Sequence, residues 1–220
     1  MSQTQKELQL LSSKAETYEQ EYNWQLAADT YQQASKLASI QENHETLSRL
    51  SEKCGFARFR AAYQADSYDD FTSGMKLACL EYEKAADFYS KIDTPEAHLS
   101  GERCLSKALF FKSRMASDTR ERRQLLNESL SHLGKTAEAF EEANHKRDYA
   151  SCALDILDCL TDLMETEGDY KARERIAEEG VRTGDRALQV FDELHDSRNL
   201  AKAYVSSAYF NRHGAFAKNQ

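Results

Sequence analysis

Apolar residues recur at steps of three and four along nearly the whole chain. That is the period of a helix with one buried stripe, and it differs from the strict alternation of a half-buried strand. Nine stretches follow the rule, at roughly 3–20, 23–41, 44–65, 69–92, 95–117, 120–144, 147–167, 169–194 and 197–215. The joints carry helix-start chemistry. Thr94 precedes Pro95, an N-cap followed by proline at the first helical position. Asp118, with Glu121 three residues later, reads as a capping box. Asn43, Asn144 and Asp196 stand where one helix ends and the next is capped, and Gly168-Asp169 supplies another break. His44, His145 and His195 recur at similar joints, in a capping or turn role. Every joint is only a few residues long, so consecutive helices are expected to run antiparallel.

A repeat lies under this pattern. Tyr31-Gln-Gln-Ala34-Ser-Lys-Leu37 answers to Tyr82-Glu-Lys-Ala85-Ala86-Asp-Phe88, and later come Ala137-Glu-Ala139-Phe140 and Ala187-Leu188-Gln-Val190-Phe191. The next helix then opens with small and apolar residues, as in Leu47, Leu50, Cys54 and Ala57. Alanine lets two helix axes approach, and an aromatic knob from one hairpin fills the space left by the next. A hairpin of this kind cannot bury both faces alone, so the units are expected to stack. The prediction is an all-α solenoid of about nine antiparallel helices in one domain, 1–220. Its hairpin units fall at 3–41, 44–92, 95–144 and 147–194, with a terminal helix at 197–215.

The stretch Asn23-Trp24-Gln-Leu-Ala27-Ala28-Asp-Thr-Tyr31-Gln-Gln-Ala34 resembles tetratricopeptide-type repeats. Its style is closest to that of the soluble NSF attachment proteins, the SNAP adaptors. The resemblance covers about residues 15–212. It implies a right-handed twist of the helix stack, protein binding as the role, and no catalytic residues or cofactor. In SNAP adaptors basic residues on one face grip an acidic helical bundle. This chain departs from them in having no apolar membrane loop near Met1, in ending Ala-Lys-Asn-Gln, and in a repeat near 50 residues. What carries over is the architecture and the binding role, with vesicle fusion kept only as an alternative.

Composition narrows the function. With 8 glycines and the single proline Pro95, the chain lacks the turn and phosphate-loop supply that barrels and α/β enzymes need. Its formal net charge of −8 is opposite to the balance of nucleic-acid binders. No apolar run reaches the length of a membrane span and no signal-like segment is present, so a cytoplasmic protein without membrane insertion is expected. Cys54, Cys79, Cys104, Cys152 and Cys159 sit at apolar positions with no zinc or disulfide spacing, and read as buried small hydrophobes.

Candidate chemistry concentrates on two stretches. Arg58, Arg60 and Tyr63 lie on 44–65, and Arg103, Lys107, Phe111, Lys112 and Arg114 on 95–117, with Phe56 and Phe110 beside them and Arg120, Arg122 and Arg123 beyond. On a groove-lining face these cations would clamp carboxylates of an acidic or helical partner segment, because a guanidinium fork meets a carboxylate at two points. On a solvated face they would pair with Glu52, Glu96, Glu102 and Glu121. The aromatics divide in the same way between partner contacts and hairpin packing. Asp155, Asp158 and Asp162 read as a wet face, and Gly180-Val-Arg-Thr-Gly184 lacks the Lys-Ser/Thr of a phosphate loop. No metal spacing of histidines and no nucleophile motif occurs, so no enzyme is expected. The expected function is a protein-binding scaffold, with a sensor module cut from a larger signalling NTPase or transcription regulator as the other reading. The last helix, with Tyr204, Val205, Ala208, Tyr209 and Phe216, looks like the first half of a hairpin, expected either to cap the stack, to precede further chain, or to pair with another copy.

Overall fold

Each apolar stripe becomes the inner face of a helix. The computed structural model describes residues 3–40 and 42–217, with side chains through His213. Among the described residues there are nine helices and no strand. They are α1 (Gln3–Gln20), α2 (Trp24–Ser39), α3 (His44–Ala62), α4 (Tyr68–Tyr89), α5 (Pro95–Met115), α6 (Thr119–Glu142), α7 (Lys146–Thr166), α8 (Tyr170–Glu193) and α9 (Ser197–Ala217). The chain divides into two compact units, Met1–Met115 and Ala116–Gln220. The hairpin predicted at 95–144 has one helix in each. In the first unit α1 packs on α2, α2 on α3, α3 on α4 and α4 on α5. In the second, α6 packs on α7, α7 on α8 and α8 on α9, and α7 also reaches α9.

The joints explain how so few glycines suffice. Asn43 accepts from Thr46 N at 3.0 Å and Thr94 Oγ1 accepts from Ala97 N at 3.2 Å. Asp118 accepts from the amides of Arg120 and Glu121, and Asp169 from Ala172 N at 2.8 Å. Each cap satisfies an amide that the first turn leaves open. Asn144 departs from its expected role: it caps no following helix and instead closes α6 at φ +59°, with His145 at the N-terminus of α7 making no side-chain cap bond. Tyr22 and His195 do the same at φ 61° and 53°. In each case the next amide bonds back five residues, Asn23 to Tyr18 O, His145 to Phe140 O and Asp196 to Phe191 O. This is the helix-ending turn usually given to glycine. Non-glycine residues in that conformation cost about 1 kcal/mol or more each, and the paired backbone bonds offset it.

The first core gathers Trp24, Ala27, Ala28, Tyr31, Leu47, Leu50, Cys54 and Ala57. Tyr82 of α4 is also buried, and its ring lies against Gly55, where a Cβ would stand 2.7 Å from Cδ2. Only glycine admits that approach. Of the repeated knobs, Phe140 and Phe191 are fully buried. Phe88 is only half-buried and stacks on His44, and its neighbour Tyr89 takes the buried place. In the second unit Gly180 and Gly184 form the seat on α8 for Phe210 and Ser207 of α9. The glycine pair, which lacks the residues of a phosphate loop, is therefore a helix-packing device. Asp162 corrects another expectation, since it is buried and its carboxylate pairs with Arg122 at 3.3 Å. A carboxylate at that depth needs a partner charge.

Candidate functional site

Helices α3 and α5 meet through rings and a guanidinium. Phe59 stacks on Phe111 with centroids 4.7 Å apart, and Arg114 Nη1 donates to the Tyr63 hydroxyl. Tyr63 also presents its edge to Phe59 at 5.1 Å and to Phe71 of α4 at 5.6 Å. Phe111 continues the chain of rings to Tyr82 and Phe110. Two cations lie on these rings: Arg114 over Phe110 at 5.0 Å and over Tyr63 at 5.7 Å, and Lys107 over Tyr82 at 5.6 Å. Such ring pairs contribute about 0.5–1.5 kcal/mol each beyond burial, and cation–ring contacts about 0.5–1 kcal/mol when exposed. The cluster therefore fixes the end of the α3–α5 pair without freezing its outer surface, where Tyr63 stays 50% exposed.

Helical spacing sets the charge pattern. Arg103, Lys107, Phe110 and Arg114 follow at steps of four, three and four, one stripe along α5. From Lys53 to Ala65 and from Arg103 to Met115 the sequence holds seven cations and no carboxylate. The cations of the last turn of α5, Lys112 and Arg114, also suit the negative end of the helix dipole.

The eight residues singled out from the sequence do not form one patch. Tyr63, Lys107, Phe111 and Arg114 come together, with Arg103 half-buried on the same stripe. Arg60 is exposed and lies over the Trp24 ring at 5.1 Å, on the α2–α3 seam where Phe56 meets Trp24 edge-on. Arg58 turns inward, its side chain 12% exposed and bonded to Asp29 at 2.8 Å. Lys112 bridges to Glu83 of α4 at 2.7 Å. Arg58 and Lys112 thus tie helices together. Phe59, Phe71 and Tyr82, which complete the ring cluster, were absent from the sequence set. The spacing of Phe59 one turn before Tyr63 was the available signal.

The cations beyond α5 belong to the second unit. Arg122 also lies 3.8 Å from Glu165, and Arg123 donates to the Thr166 carbonyl and pairs with Glu167 at 3.4 Å. Together they hold the end of α7 against α6.

The nucleophiles are quiet. All five cysteines are buried free thiols. Burial pushes Cys54 up to about 12 and Cys79 up to about 11. Cys104 is raised by burial and by Glu52, whose carboxylate also accepts from the Tyr89 hydroxyl at 2.8 Å. A thiol held protonated in this way is a poor nucleophile at neutral pH. Among the described residues no group of three His, Cys, Asp or Glu side chains is placed to hold a metal ion, and no helix is long and apolar enough to cross a membrane. No protein-family model matches the chain, and no curated protein matches it at a significant level.

Proposed function

We propose that this chain is a non-catalytic interaction scaffold, and that the α5 stripe beside the end of α3 docks a carboxylate-bearing segment of a partner protein. The observation that carries this is the half-exposed Tyr63 set among Phe59, Phe71 and the ring-stacked Arg114, on helix halves that bear cations and no acid. Tyrosine and arginine anchors of this sort dominate protein-binding hot spots. A guanidinium already stacked on two rings loses little freedom when its fork meets a carboxylate. The resemblance to tetratricopeptide and SNAP-type repeats supports the same role.

The test replaces Tyr63 with a photo-cross-linking phenylalanine derivative and irradiates the protein in lysate of its native cells. A control places the same group at Leu77, which is exposed on α4. The expected result is a discrete adduct from position 63. It is lost on Arg103→Glu/Lys107→Glu and weakened as salt rises from about 0.05 to 0.3 M, over which the screening length falls from about 14 to about 6 Å. Adducts from Leu77 alone, or an adduct indifferent to charge and salt, would refute the reading.

A second copy of the chain is a further candidate partner. Ala201, Tyr204, Val205 and Ala208 share the outward face of α9, with Tyr204 60% and Val205 73% exposed, while the side chain of Phe216 lies outside the described residues. Sedimentation of the wild type against Val205→Lys reads this contact directly.

A further inference from the structure

A cleft of about 260 Å³ opens in the second unit between the end of α6, the start of α7 and the end of α8. Its lining includes Val190, which is buried and belongs to the core of this unit, and the half-buried ring of Tyr149. Two ion pairs cross it. Arg186 of α8 bonds to Glu141 of α6 and lies over the Tyr149 ring at 6.0 Å. Lys146 of α7 bonds to Glu193 of α8 at 2.7 Å, and Gln189 donates to the same carboxyl group at 3.1 Å. Two cations and two carboxylates therefore stand around an apolar floor, with no net charge.

This arrangement selects a ligand by charge type. A simple anion would engage Arg186 and Lys146 alone, and a simple cation Glu141 and Glu193 alone, so each would make only half of the available charged contacts. A small molecule with one ammonium and one carboxylate enters a pair without unbalancing it. Opening a pair is cheap, because all four charged side chains are 41–53% exposed and exposed pairs contribute little. The helix packing beneath does not depend on them, since Ala150, Ala153, Ala187, Val190, Phe191 and Ala203 form the core there.

We infer that this cleft is a binding site for a free α-amino acid, its carboxylate held by Arg186 and Lys146, its ammonium by Glu141 and Glu193, and its apolar side chain against Tyr149 and Val190. The inference is independent of the docking face on the first unit.

The test titrates the whole chain with L-leucine, and with acetate and methylammonium as single-charge controls, following backbone amide shifts by NMR. Saturable shifts at Asn144, Tyr149 and Val190 with L-leucine are expected, at a dissociation constant of about 1 mM for so small a ligand. Neither control should produce them. Arg186→Gln and Glu193→Gln should each weaken binding about tenfold, the effect of losing one charge-assisted contact. No saturable shift up to about 10 mM would overturn the inference. So would shifts located elsewhere, equal response to acetate, or binding unchanged in both variants. If one variant fails to fold, the other variant and the location of the wild-type shifts still decide.

Discussion

Substituting Gly180 with alanine sets two effects of opposite sign against each other. In an open helix interior the change stabilises, because alanine exceeds glycine by about 1 kcal/mol in helix propensity. At position 180 the new Cβ would lie 2.6 Å from Phe210 Cδ2 and closer still to Cγ and Cδ1 of the same ring, all well inside van der Waals contact. Phe210 has no exposed surface and hence no free direction to retreat. Overpacking of this kind costs about 1–3 kcal/mol, so the net effect is a loss of up to about 2 kcal/mol. Gly134 in α6 is the matched control, since nothing would meet its Cβ within 4 Å, and Gly134→Ala should gain about 0.5–1 kcal/mol. Native-state amide exchange reads both locally. Protection of α8 and α9 should fall up to about 30-fold in Gly180→Ala, while protection of α6 should rise in Gly134→Ala. Adding Phe210→Leu should recover part of the Gly180→Ala loss relative to Phe210→Leu alone, because the two sites touch. If Gly180→Ala raised protection as Gly134→Ala does, the close seat of α9 on α8 would be wrong.

Two further outcomes follow from buried groups. Cys54 and Cys79 have folded pKa values near 12 and 11, raised from 9.0, so their contribution is complete below pH 9 and is lost as pH rises toward those values. Tyr31 and Tyr89, also raised by burial from 10.0, add to the loss above pH 10. The urea midpoint should therefore be insensitive to these groups up to about pH 8.5 and fall beyond about pH 9; a midpoint held constant to pH 11 would contradict the burial assigned to these groups. Arg122→Met and Arg58→Met should differ in urea unfolding. The first leaves the carboxylate of Asp162, 2% exposed, without its guanidinium, at a cost of about 3 kcal/mol or more. The second leaves Asp29, 45% exposed, which water can solvate, so the loss should be about 1 kcal/mol.

The local physics of this protein was legible in its residues. Apolar steps of three and four located nine helices to within a few residues, because a helix needs only one continuous stripe to be recognised. Asn43, Thr94-Pro95 and Asp118 marked helix starts because a cap acts on amides two or three residues away. What required distant partners was decided by the tertiary structure. Arg58 and Arg60 are two residues apart, and so on different sides of α3; only the placement of Asp29 and Trp24 on α2 gives one an inward ion pair and the other an exposed ring contact. Asp162 belongs to a run of acids that looks wet, and Arg122 of α6 makes its burial possible. Gly180 and Gly184 gain their meaning from α9, and Tyr63 gains its setting from Phe59, Phe71 and Arg114. The physical reason is common to all of these. Helix formation is governed by neighbours within one or two turns, whereas burial, charge pairing and the exposure of an aromatic depend on side chains that only the packed fold brings near.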